Sequence, residues 1–134
     1  GNRGCLEQFA SATGIARLGR KALEESDQPS VMRGQEMSAK VVFDAVKEGD
    51  ELAIQVAESF GKYLGKAVAG MTAVLDPEII VIGGGVSKAG PILLDYVRKY
   101  YKPCAFKSAK ETPFALAELG NDAGIYGCAK LILG

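Results

Sequence analysis

The stretch Ile80-Val81-Ile82-Gly83-Gly84-Gly85-Val86-Ser87 decides how the rest of this chain is read. Together with Glu78 and Ile79 it opens as a short, apolar, β-branched run, the pattern of a strand buried on both faces. Three glycines then break it. A strand that ends in glycines and passes into a helix brings bare backbone N–H groups to its carboxyl end, where a nucleotide can approach closely. Two known phosphate motifs fail on these residues. Gly85 and Gly90 have P-loop spacing, but Pro91 and Ile92 stand where Lys-Ser/Thr is required, and in GxGxxG Lys88 takes the last glycine position. A glycine-rich strand-to-helix turn with no ligand stays open as the other reading of the same residues.

Upstream, Asp76-Pro77 ends a long helix, because the residue before proline is pushed out of the helical region. That helix starts at Asp50 as cap and carries Ala53, Val56, Ala57, Phe60, Leu64, Val68, Met71 and Leu75 on an apolar face. Gly61, Gly65 and Gly70 lower its propensity but let another backbone come close. Lys62 and Lys66 sit inside the GxxxG spacing and turn it toward packing in a soluble core, away from a membrane dimer. Before it, a helix runs from Ser38 as N-cap to a stop at Gly49, with Val41, Val42, Ala45 and Val46 in phase. A polar loop covers residues 26–30, and a first helix extends from Leu6 through Leu23.

Downstream, Gly90-Pro91 opens a helix bearing Ile92, Leu93, Tyr96, Val97 and Tyr100. A loop over residues 102–113 leads to a strand at 114–118. Gly120-Asn121-Asp122 then caps a last helix whose apolar pattern places Cys128 in the core. The pattern thus holds five helices and two strands, the strands joined through a helix as in a parallel βαβ pair. Parallel sheets are normally larger and covered on both faces. The chain therefore reads as part of an α/β domain whose other strands come from an upstream segment or a swapped dimer.

Composition narrows the function. The 134 residues carry 16 basic and 16 acidic side chains and no histidine. A net charge of +0 argues against an overall basic footprint for nucleic acid. Without histidine, Ser-His-Asp and Cys-His nucleophile systems and imidazole zinc ligation are excluded within these residues. Cys5, Cys104 and Cys128 form neither a disulfide framework nor a CxxC site, which suits a reduced, cytoplasmic setting. Uncharged stretches such as 67–75 and 79–87 run to about nine residues where a membrane span needs about twenty. Gly4-Cys5-Leu6-Glu7 carries little alone, since a loop cysteine is usually a small hydrophobe and a first-turn glutamate usually favours the helix dipole.

Taken in order, these segments resemble the C-terminal portion of the ROK family of bacterial sugar kinases and repressors, and within it the glucokinase branch. The matching stretches are residues 1–15 (GNRGCLEQFASATGI), 42–53 (VFDAVKEGDELA), 76–90 (DPEIIVIGGGVSKAG) and 119–129 (LGNDAGIYGCA). The resemblance implies an actin-like (ribonuclease H-like) ATPase fold, of which residues 1–134 form one incomplete domain, helix-rich with a partial sheet.

It implies an ATP- and Mg²⁺-dependent kinase that phosphorylates glucose or a related hexose at the 6-hydroxyl. The alternative is the sugar-binding part of a repressor, the one case with a nucleic-acid partner. Residues 1–7 resemble the tail of the CxCGxxGCxE loop, which makes Cys5 one ligand of a structural Zn²⁺ completed upstream. Glu7 matches the glutamate that binds sugar hydroxyls, and an ionised carboxylate can accept from two neighbouring hydroxyls. Gly83, Gly84, Gly85, Val86 and Ser87 resemble the segment bordering the adenosine of ATP. The phosphate hairpin and the catalytic aspartate map upstream, and neither Asp76 nor Asp122 occupies their motifs. The resemblance further implies a homo-oligomer, no membrane partner, and no kinase activity from this segment alone.

Overall fold

Side-chain caps set the starts of three helices. The structure, a computed structural model, describes residues 4–119 and 122–133. A one-turn helix α1 (Glu7–Ala10) is followed at once by α2 (Ala12–Glu24), then α3 (Ala39–Lys47) and the long α4 (Glu51–Leu75). Ser11 Oγ accepts from Gly14 N, Ser38 Oγ from Val41 N and Asp50 Oδ1 from Ala53 N, each satisfying a donor the helix itself leaves free. The first helix expected from Leu6 to Leu23 is thus two. Ser11 at ψ 168° breaks it, although the apolar spacing runs on across the break.

Asp50 does more than cap. Its N–H reaches Ala45 O while Gly49 N reaches Val46 O at φ 81°, the paired bonds that close α3 in a Schellman turn. Its Oδ2 accepts from Val31 N at 2.8 Å and so ties the 26–33 loop to the start of α4. Within that loop Met32 is fully buried, and Arg33 donates to the carbonyl of Leu23 in the last turn of α2 and to those of Ser26 and Gln28 beyond it.

Glycines decide how α4 meets α5 (Ile92–Tyr101). A Cβ on Gly65 would stand 2.6 Å from Val97 O, and one on Gly61 would stand 2.8 Å from the carbonyl carbon of Tyr96. Only hydrogen fits there, so the GxxxG spacing is a helix–helix contact inside the core. Gly70 differs, with open space where its Cβ would be. Phe43, Phe60, Leu93, Val97 and Tyr101 are buried around this contact. The Tyr101 hydroxyl donates to Ala109 O at 2.6 Å, which draws the 102–113 loop over the core.

Strands β1 (Ile80–Ile82) and β2 (Phe114–Leu116) pair in parallel, with Ile80 opposite Phe114 and Ile82 opposite Leu116. A 3₁₀ turn (Gly85–Ala89) and α5 connect them. Both strands are shorter than expected, and β1 is not buried on both faces. Ile82 is 8% exposed, but Val81 is 56% and Ile79 51% exposed. The reason is the sheet itself: among the described residues it has two strands, with nothing packed over the Val81 side. That side opens into an apolar groove of about 420 Å³ bordered by Leu64, Val68, Met71, Leu75 and Val81.

Every described residue of α6 (Ala123–Leu133) is exposed, so Cys128 lies at the surface and not in the core that its apolar pattern suggested. Gly120 and Asn121, read as part of the cap of this helix, lie outside the described residues, as do residues 1–3. No described helix is long and apolar enough to cross a membrane.

Candidate functional site

The carboxyl end of β1 runs directly into the glycine turn. Gly84 has φ 77° and ψ −165°, and Gly90 at the far end of the 3₁₀ turn has φ 85° and ψ −172°. Both lie in a region of backbone space that is essentially glycine-only. Ser87 locks the turn, its N–H donating to Gly84 O at 3.1 Å and its hydroxyl to the same oxygen at 2.8 Å. The flanking glycines serve packing. A Cβ on Gly83 would come within 3.0 Å of the Ala117 methyl, and one on Gly85 within 3.2 Å of the Ala12 methyl. Val86 is buried, so only its backbone is available to a ligand. The space over Gly84 is open, and the exposed face of the turn is the surface a ligand would meet.

Glu7 is the first residue of α1 and is exposed. A helix of four residues is far too short to hold itself, so its position depends on neighbours. Thr13 Oγ1 donates to Glu7 Oε1 at 3.4 Å and shares a 2.9 Å hydrogen bond with Ser11 Oγ. Gly14 packs so tightly under α1 that a Cβ there would lie 2.7 Å from Gln8 O and 3.0 Å from Glu7 O. Arg17 Nη2 donates to Gln8 O at 2.8 Å, and Phe9 stacks on Tyr63 of α4 with ring centroids 4.3 Å apart.

The two candidate segments therefore come near one another at Ala12, which stands where a Cβ on Gly85 would reach it and begins the helix directly after the α1 turn. Sequence reasoning singled out Glu7 and the glycines but missed Ser11, Thr13, Arg17 and Tyr63. Ser11 had a usable signal, a serine three residues ahead of a glycine within an apolar pattern. Tyr63 had none, because its stacking partner is 54 residues away.

The donors present do not form a zinc site. Cys5 is exposed, histidine is absent, and no group of three or more Cys, Asp or Glu side chains comes together among the described residues. Cys104 and Cys128, both exposed, add nothing to it.

A parallel strand pair crossed by a helix, with a glycine turn at the carboxyl end of its first strand, is built like part of an actin-like ATPase. The match to known families is specific: the ROK family matches residues 1–134, and the chain belongs to it. It is 40% identical to a glucokinase of Halalkalibacterium halodurans over 98% of this chain and 42% of that protein. A ROK family glucokinase from Streptomyces griseus, solved in complex with glucose and AMPPNP, matches with TM-score 0.84 and 26% identity, over 98% of this chain and 45% of that one. A ROK family transcriptional regulator, a homologue of the E. coli MLC protein, matches with TM-score 0.72 and 30% identity, over 87% of this chain and 29% of that one. The chain spans about two fifths of the length of the curated relatives it matches. Its fold is that of the ROK sugar kinases, helix-rich with a partial parallel sheet.

Proposed function

We propose that residues 1–134 form the C-terminal portion of an ATP-dependent hexose kinase of the glucokinase type. In this reading the exposed carboxylate of Glu7 accepts hydrogen bonds from two adjacent sugar hydroxyls. Gly83, Gly84, Gly85, Val86 and Ser87 offer backbone to the adenosine side of ATP. The γ-phosphoryl group passes to the sugar 6-hydroxyl, the bond to the β-phosphate breaks, and ADP leaves. The hydroxyl proton goes to an aspartate outside these residues, and Mg²⁺ supplies charge neutralisation when bound. Cys5 is one thiolate of a structural zinc whose other ligands lie outside the 134 residues.

One observation carries the reading, the contact between Gly85 and Ala12. Transfer between two substrates requires their binding segments to be held in fixed relation, because a misplacement of about 1 Å costs up to roughly a hundredfold in rate. Here a Cβ on Gly85 would come within 3.2 Å of the Ala12 methyl, which sets the glycine turn beside the first residue of α2, five residues after Glu7. The uncovered apolar groove beside β1 also favours further chain completing the domain.

The likeness to a ROK regulator favours a second reading, a sugar-binding repressor. Incubating the full-length protein with Mg·ATP and glucose tests both. Formation of glucose 6-phosphate and ADP supports the kinase. Glucose binding without phosphoryl transfer, accompanied by specific DNA binding, supports the repressor.

A further inference from the structure

The helix that carries Glu7 has no buried residue and no side-chain cap at its start. Two contacts made by Phe9 tie it to α2 and α4. The Arg17 guanidinium lies 5.5 Å from the Phe9 ring centroid, and Phe9 in turn stacks on Tyr63 at 4.3 Å with an interplanar angle of 29°. The same guanidinium donates to Gln8 O, so one side chain grips both the ring and the backbone next to Glu7. Tyr63 projects from the middle of α4, whose Gly61 and Gly65 lock onto α5. The stack therefore ties a single turn of helix to the most firmly packed element of the molecule.

We infer that the Arg17–Phe9–Tyr63 stack positions the Glu7 carboxylate for the sugar, making Arg17 and Tyr63 positioning residues for hexose binding. This rests on the reading of Glu7 as the sugar contact. Neither residue touches the glycine turn, so the effect belongs to the sugar side alone. An offset aromatic pair contributes about 0.5–1.5 kcal/mol beyond area burial. That corresponds to a rise of roughly two- to tenfold in hexose KM when the stack is lost and Glu7 moves off its place.

The test is a double-mutant cycle in the full-length kinase, with hexose KM and ATP KM measured separately. Tyr63→Ala is expected to raise hexose KM by that factor and to leave ATP KM unchanged. Tyr63→Phe, which keeps the ring, should restore the wild-type hexose KM. Arg17→Met, which removes the other partner of Phe9, should reproduce the Tyr63→Ala effect; since Tyr63 is 46% exposed and Arg17 is exposed, neither change empties the core.

In a Glu7→Gln background, Tyr63→Ala should add nothing further, because its effect runs through Glu7. The inference is overturned if Glu7→Gln raises hexose KM while Tyr63→Ala and Arg17→Met do not. It is equally overturned if the effects of Glu7→Gln and Tyr63→Ala multiply as independent changes. An unchanged hexose KM in Glu7→Gln alone removes Glu7 from the sugar site, and this inference goes with it.

Discussion

Gly85 lies against Ala12 so closely that a Cβ on the glycine would approach the alanine methyl to 3.2 Å. The contact joins the turn after β1 to the first residue of α2, and Ser11, one residue earlier, donates its N–H to Glu7 O at 3.1 Å. A bulky side chain at position 85 therefore pushes on both candidate segments at once. Under the proposed function, Gly85→Val in the full-length protein is expected to raise KM for hexose and for ATP together, which steady-state kinetics with each substrate varied would show. A rise confined to ATP would mean that the two segments are mechanically separate.

Gly84 raises a different difficulty. At φ 77° and ψ −165° any L-residue is strained, at a cost of about 1–3 kcal/mol. A Gly84→Val variant, the obvious way to block nucleotide approach, therefore distorts the turn before it meets a ligand. Amide exchange avoids the problem. Adding Mg·AMPPNP to the full-length protein should slow exchange at Gly84 and Gly85, the less buried start of the turn. Unchanged exchange there would leave the glycines as a plain connector.

Within α4, Gly61 and Gly70 make opposite forecasts. Gly61→Ala gains about 1 kcal/mol of helix propensity but drives a methyl into the Tyr96 carbonyl, and overpacking of this kind costs about 1–3 kcal/mol or more. Net destabilisation is expected. Gly70→Ala meets no neighbour and should stabilise by about 0.5–1 kcal/mol. Denaturant titration of both variants checks the pair, and a stabilised Gly61→Ala would contradict the close approach of α5.

Acid sensitivity should centre on Asp50. Burial opposes its ionisation, yet hydrogen bonds from Ala53, Ser30, Val31 and Leu52 prevail and hold its carboxyl below the ordinary 3.8. A depressed folded-state value means the stabilisation is complete above the unfolded value and is lost as pH falls through the folded one. Glu58 shifts in the same direction: desolvation pushes its pKa up, but hydrogen bonds from Lys99 and Tyr100 bring it lower. The melting temperature should therefore drop as pH is lowered from about 5 toward 3. Asp50→Asn should be less stable at neutral pH by about 1–2 kcal/mol, because the Val31 N–H loses its carboxylate, and should show a shallower acid decline. Superimposable pH profiles for the two proteins would contradict this.

Much of this fold was legible because its boundaries are set by local chemistry. Ser38, Asp50, Gly49 and Pro77 each act within a few residues of where they stand, and each marks its helix end as the spacing suggests. Asp76 does leave the helical region ahead of Pro77, but into the left-handed region at φ 44°, not the extended one. The break at Ser11 was hidden by an apolar pattern that α1 and α2 share, since both pack on α4. Exposure of Val81 and of α6 was not legible either, because apolar sequence records what a segment is built to cover and not whether its partner is present. Among the candidate residues, the glycine turn stands out by its own strand-to-glycine pattern and Glu7 only through the family resemblance, whereas the Phe9–Tyr63 stack joins residues far apart in sequence and leaves no local trace.

The kinetics of Glu7→Gln in the full-length protein test the central proposal most directly. Loss of the charged acceptor for two sugar hydroxyls should raise hexose KM at least about tenfold, since hydrogen bonds to charged groups contribute about 1.5–3 kcal/mol. ATP KM and the melting temperature should stay unchanged, because Glu7 is exposed and its proposed partner is the sugar alone. Wild-type hexose kinetics in Glu7→Gln, with the fold intact, would contradict the assignment of this segment to the sugar site.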